Sequence, residues 1–220
     1  RSLTEAYLAR IAAYDQNGPT LNAVVTTNPQ ALARADELDA AMRETGGFVG
    51  PLHGIPILVK DNIETAAMPT TQGTIGMAGY QPREDASVIQ HLESAGAVIL
   101  GKTTLPDFAT SWWAYSSLSG ETRNPYALDR DPGGSSSGSG AAAAANFAMA
   151  ALGTDCGGSI RVPSSFDNLV GVRSTPGMIS RKGAGTLVFF QDTIGPMART
   201  VTDAAIVFDA LVGYDAGDTL

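Results

Sequence analysis

Cysteine and histidine are scarce in this sequence: its 220 residues hold one cysteine, Cys156, and two histidines, His53 and His91. A lone cysteine closes no internal disulfide and builds no cysteine zinc site. Basic residues are also few, 14 Lys plus Arg against 22 Asp plus Glu, giving a formal charge of −8. With no Lys/Arg cluster there is no basic face for a phosphate backbone, which argues against nucleic acid as a partner. Long apolar runs are lacking as well. The stretch from Gly140 to Leu152 is about 13 residues and contains Asn146, too short to span a bilayer. The acidic residues show no spacing that suggests a metal site. No signal peptide is visible and the chain opens on Arg1. We read the natural N-terminus as missing, which leaves location open with the cytoplasm favoured.

What is present describes a globular chain, 44% hydrophobic and 16% charged, with many of its 25 glycines clustered between positions 133 and 185. Ser2-Leu3-Thr4-Glu5 has the capping-box pattern, and Leu3, Tyr7, Ile11 and Tyr14 then recur at helical spacing. A second helix is expected between Asn28-Pro29 and Gly46-Gly47, and a third from an Asp85 cap to Gly96. Ile55 to Val59 reads as a buried strand ending at Lys60, and Ala97 to Leu100 as another. A helix is expected over Gly140–Ala151, a short strand at Ala151–Thr154, a possible helix start at Ile160, and an amphipathic helix over Val201–Val212. Helices and buried strands alternate without repeats or a long linker, which favours an α/β layered fold over residues 1–220 as one domain.

Three glycine motifs compete for the chemistry. Gly96 to Thr103 satisfies GxxxxGK[ST], the phosphate-binding spelling, but its four middle residues are Ala, Val, Ile and Leu. A phosphate loop needs those positions to wrap an anion with N–H groups, and these residues favour a strand. Lys102 is then expected at a strand end, reaching solvent. Gly134-Ser-Ser-Ser-Gly138 fits GxSxG, yet that elbow requires an acid and then a histidine downstream, and both histidines lie upstream. The remaining pair is Pro132 to Gly140 with Gly153 to Arg161. The first could be a flexible glycine/serine linker. It runs directly into an alanine-rich helix, however, and in the second Gly157-Gly158 precedes Ser159. Two glycines let successive N–H groups turn toward one point, as an oxyanion hole requires.

These residues resemble the amidase signature family. The family's hallmarks are a GGSS(G/S)G loop, here Gly133 to Gly138, and a G(S/T)DxGGSIR segment, here Gly153 to Arg161. Its third element is a GxPxxVKD strand, here Gly54 to Asp61. Gly101-Lys-Thr-Thr, Asn124-Pro-Tyr and the stretch Asp192 to Thr200 are similar too. The resemblance implies a layered α/β/α fold with a mixed central sheet covered by helices, of which this chain is about the N-terminal half. It implies amide hydrolysis through an acyl-enzyme, with Lys60 as base, Ser135 as bridging serine and Ser159 as nucleophile, and no cofactor. The N–H groups of Cys156, Gly157, Gly158 and Ser159 would form the oxyanion hole, and the Gly134–Ser135 peptide would be cis. The implied partner is a small-molecule or peptide amide, with the remaining half of the chain or a second copy completing the assembly. The family also contains amidotransferase subunits and non-hydrolytic relatives, which remain alternatives.

Such a base must be neutral, so Lys60 is expected to be desolvated among Ile57, Val59 and neighbouring strands, with Asp61 turned to the opposite face. His53 is expected to bond loop backbone, and His91 to lie at the surface or in packing. Asp155 and Arg161 should orient the loop, and Cys156 should act as a small buried apolar group. Trp112, Trp113 and Tyr115 either line a substrate pocket or pack in the core.

Overall fold

The structure, a computed structural model, describes residues 1–219. Its helices are α1 (Ser2–Tyr14), α2 (Ala31–Thr45), α3 (Ser87–Ser94), α4 (Ser137–Ala144), α5 (Arg161–Phe166) and α6 (Val201–Leu211). Its strands are β1 (Val24–Thr27), β2 (Pro56–Lys60), β3 (Val98–Thr103), β4 (Tyr115–Ser116), β5 (Gly120–Glu121), β6 (Ala150–Asp155), β7 (Val170–Gly171) and β8 (Thr193–Ala198). Six strands form one mixed sheet in the order β1-β3-β2-β6-β8-β7. β3, β2 and β6 run parallel at its centre, whereas β1 and β8 pair antiparallel with their neighbours. Strands β4 and β5 make a separate hairpin.

The central strands are apolar along their length because both faces are covered. Ile57, Val59, Ile99 and Leu152 pack on one face with Val88, Ile89 and Leu92 of α3 and Val207 and Leu211 of α6. Leu58, Val98, Leu100 and Ala151 pack on the other with Tyr7 and Ile11 of α1, Leu38 of α2 and Ala141–Ala143 of α4. This is the expected layered α/β/α arrangement. By the same alternation Lys60 falls on the Leu58 face, the side that carries α4.

A bulge interrupts β3 and resets which way its last residues face. Its register with β2 shifts between Ile57 and Leu58, which pair with Ile99 and Gly101. Leu100 therefore faces α4, and Lys102 falls beside Val59 on the opposite face. Gly101 is required there, since a Cβ would lie 2.3 Å from the Thr26 carbonyl oxygen.

Several local expectations are corrected. The capping box at Ser2 is not made: α1 begins at Ser2 without a side-chain cap and buries Thr4, Tyr7 and Ile11, leaving Leu3 and Tyr14 exposed. Asp85 does not cap α3; its Oδ1 accepts the Ala66 N–H at 2.7 Å. The helix expected over Gly140–Ala151 instead spans Ser137–Ala144. Asn146 takes a left-handed φ of 59°, and the Phe147 and Asn146 N–H groups return to the Ala142 and Ala143 carbonyls. That closing motif stops the helix and frees Ala150–Asp155 for a central strand.

Candidate active site

The C-terminal ends of the parallel strands β2, β3 and β6 meet at one edge of the sheet, the usual place for a site in such folds. Lys60 ends β2 there and is fully buried. Its Nζ donates to Ser135 Oγ at 2.7 Å and to Thr154 Oγ1 at 2.9 Å. Among the described residues it makes no ion pair. Burial lowers its pKa from 10.5 to about 7, against the opposing pull of Asp192, Asp155 and Cys156. Thr154 is itself oriented, because its Oγ1 also accepts from Asn62 Nδ2 at 3.0 Å, and that amide donates to the Gly185 carbonyl.

Ser135 sits in the turn that opens α4, behind a cis Gly134–Ser135 peptide. The turn is stitched to β6: Ser136 Oγ donates to the Thr154 carbonyl and accepts the Thr154 N–H, both at 3.2 Å. Gly138 lets α4 settle onto the sheet, for a Cβ there would lie 2.3 Å from the Ala23 oxygen and 2.4 Å from the Thr104 nitrogen.

Ser159 lies on the loop between β6 and α5, nearly buried but open to a cleft of about 360 Å³. The loop is wound around Asp155. Its carboxylate accepts the N–H groups of Gly158 (2.7 Å), Ile160 (3.0 Å) and Arg161 (3.2 Å) and pairs with the Arg161 guanidinium at 3.0 Å. Burial alone would push Asp155 up; these donors outweigh it and hold its pKa at about 2. The orienting role expected of Asp155 and Arg161 is what the geometry has. The Gly158 N–H is thereby taken, whereas the N–H groups of Cys156, Gly157 and Ser159 make no hydrogen bond among the described residues. Gln191 Nε2 donates to the Cys156 carbonyl at 2.9 Å and steadies the same loop. Cys156 itself is only half-buried, not buried as expected, because the loop carries it to the edge of the cleft.

Lys60, Ser135 and Ser159 are thus brought to one edge, with unequal links. The Ser136 N–H donates to the Ser159 carbonyl at 3.1 Å, holding the two serine loops together. No direct hydrogen bond joins the hydroxyls of Ser135 and Ser159 among the described residues. Asp61 points to the face opposite Lys60, where it pairs with Lys102 at 3.2 Å and accepts from Thr71.

That pairing corrects the expectation for Lys102. It is fully buried, donating to the Ile63 carbonyl at 2.7 Å and Thr70 Oγ1 at 2.8 Å, because the bulge at Gly101 turns it inward. Residues 98–103 form a strand, so the phosphate-loop spelling has no loop behind it. His53 accepts the Val49 N–H at 3.1 Å, and His91 Nδ1 lies 3.3 Å from the Leu211 carbonyl. Trp112, Trp113 and Tyr115 are 60–69% exposed and are not core residues. No helix among the described residues is long and apolar enough to cross a membrane.

Sequence reasoning missed Thr154, Asn62 and Asp192. Asp192 is buried near Lys60, and its Oδ2 accepts the N–H groups of Leu187 and Val188. The arrangement offers a buried amine bonded to one hydroxyl, a second hydroxyl open to a cleft, and loop N–H groups that make no hydrogen bond among the described residues. Nucleophilic acyl transfer asks for these groups.

The sequence model of the Amidase family matches residues 2–219. The chain is 44% identical over 217 residues to a glutamyl-tRNA(Gln) amidotransferase subunit from Symbiobacterium thermophilum, an alignment covering 98% of this chain and 44% of that protein. It superposes on the native peptide amidase of Stenotrophomonas maltophilia with a TM-score of 0.95 and 48% identity, over 99% of this chain and 45% of that one. An amidase family protein from Bacillus anthracis gives a TM-score of 0.94 at 42% identity, over 99% and 44%. The chain spans less than half the length of these relatives, and its fold superposes on that of the two solved structures. It belongs to the Amidase family.

Proposed function

We propose that the protein hydrolyses a carboxylic amide to an acid and ammonia or an amine, with Ser159 as nucleophile, Ser135 as proton carrier and Lys60 as base. The observation that carries this reading is Lys60: a fully buried lysine with no ion partner among the described residues, 2.7 Å from a serine hydroxyl. Placing an unpaired ammonium there is costly, so the pKa falls to about 7 and the neutral amine is well populated near that pH. In the neutral amine the N–H groups stay on Thr154 and the 2.7 Å contact to Ser135 reverses, the nitrogen lone pair accepting from the Ser135 hydroxyl.

Ser159 loses its proton to Ser135 Oγ as Ser135 passes its own to Lys60 Nζ, and the freed oxygen attacks the amide carbon. That contact must tighten to hydrogen-bond length when substrate binds, as catalytic contacts commonly do. The oxyanion is received by the N–H groups of Cys156, Gly157 and Ser159. The C–N bond then breaks as Lys60 returns a proton through Ser135 to the departing nitrogen. Water repeats the sequence on the acyl-enzyme. No step needs a metal or cofactor. The chain forms the active-site half of one domain, the rest of the protein completing the substrate site.

A second reading, the amidase component of a glutamine-dependent amidotransferase, is favoured by the 44% identity to amidotransferase subunits. Ammonia release from a simple amide without an added partner separates the two. For the shared chemistry, a fluorophosphonate probe should leave one adduct, on Ser159, detected by mass spectrometry. Ser159→Ala should show no adduct and no turnover above background. Wild-type turnover in that variant would reject the assignment.

A further inference from the structure

The cleft in front of Ser159 is walled by the segment from Ala109 to Trp113, by Leu187, and by Cys156 and Gly157. None of these side chains is charged. Two indoles dominate the wall, and both are largely exposed, Trp112 at 60% and Trp113 at 69%. The Trp112 Nε1 lies 3.7 Å from the position a Cβ on Gly158 would take, so this ring stands directly beside the Ser159 loop.

The segment that presents them is braced. At its base Asp107 accepts the Ser117 N–H at 2.7 Å and the Ser117 hydroxyl at 2.5 Å. Ser111 Oγ accepts the Trp113 N–H at 2.9 Å. Asp131 spans two loops, accepting the Ala114 N–H at 3.0 Å and the Gly133 N–H at 2.6 Å. It thereby fixes the tryptophans relative to the Ser135 turn. Phe108 and Ala109 hold left-handed φ of 52° and 59°, a conformation that non-glycine residues keep only when surroundings enforce it. A stiff, uncharged aromatic wall beside a nucleophile suits a flat or bulky apolar group, which loses little entropy in settling against it.

We propose that Trp112 and Trp113 are specificity-determining residues that receive a neutral aromatic or large aliphatic group attached to the scissile amide. The proposal rests on the amidase reading of Ser159. It disfavours a zwitterionic amide such as glutamine on this wall, which offers its charged groups no partner.

The test compares kcat/KM of the intact protein for phenylacetamide, acetamide and L-glutamine. Phenylacetamide should exceed both others at least tenfold. In Trp112→Ala or Trp113→Ala the phenylacetamide-to-acetamide ratio should fall at least fivefold, mainly through KM, and the Phe replacements should retain most of it. A ratio unchanged in both Ala variants, or a preference for glutamine, overturns the proposal. Fluorophosphonate labelling of the wild type keeps the two levels apart. A labelled Ser159 with an unchanged ratio rejects the tryptophan assignment alone. No label together with no amide hydrolysis rejects the amidase reading, and this proposal with it.

Discussion

Two buried lysines illustrate how residue-scale surroundings decide a role. Lys102 faces a carboxylate and Lys60 faces hydroxyls. Removing the first partner leaves Asp61 buried and unpaired, so Lys102→Ala should cost about 3–5 kcal/mol, read by denaturant unfolding. Lys60 behaves oppositely. Lowering its pKa from 10.5 to about 7 represents about 5 kcal/mol against the charged form as an upper bound. Below about pH 7 the folded protein carries that penalty in full, and it shrinks as pH rises toward 10.5, because the unfolded lysine stays charged while the folded one does not. Lys60→Met should therefore raise Tm by several degrees at pH 6 and by less at pH 9, while abolishing activity. In the active protein, rate should rise with pH through an acid limb near 7. Asp192→Asn removes the largest of the charges that oppose the lowering, so that limb should move to lower pH in a kcat/KM profile. An unmoved limb would show that Asp192 does not act on the base. Lys60, Ser135 and Ser159 were legible because each lies in a short motif. Thr154, Asn62 and Asp192 were not, since their roles arise from contacts with residues distant in the chain, and Lys102 was misread because one bulge reverses its face.

Among the elements, the strongly patterned ones were readable and the locally contradictory ones were not. The continuous apolar runs of β2 and β3 announced buried central strands. Strands β1 and β8 carry Thr, Gly and Pro in place of such a run, and their pairing with β3 and β6 supplies what their propensity lacks. The alanine run after Gly140 suggested a longer helix than forms, because Asn146 closes it through a left-handed turn that competes well with helix propensity. Helix α4 depends on close approach more than on side-chain packing, and Gly138 is where that shows. A Cβ there meets backbone on two segments, so Gly138→Ala should lose about 1–3 kcal/mol of stability and, by tilting α4, slow fluorophosphonate labelling of Ser159. Stability and labelling both unchanged would mean that α4 does not fix the serine turn.

At the scale of the molecule, both apolar layers share one sheet, and the site sits where its parallel strands end. Layers built on common strands should be lost together. Far-UV circular dichroism and tryptophan fluorescence should report coincident unfolding midpoints, whereas an earlier fluorescence midpoint would mean that the Trp112–Trp113 segment comes away before the sheet and its layers. The layered class was legible from the alternation of helices and buried strands. The sheet order was not, because it depends on which strand ends meet across the fold. The chain's relatives are about twice its length, and the proposed aromatic preference concerns the Trp112–Trp113 side of the cleft beside Ser159. The central claim nonetheless rests on groups this chain supplies in full. The most direct measurement is a side-chain NMR titration of Lys60 in protein labelled with nitrogen-15 lysine, assigned by loss of the signal in Lys60→Met. A midpoint near 7 is predicted, and one near 10.5 would contradict the account.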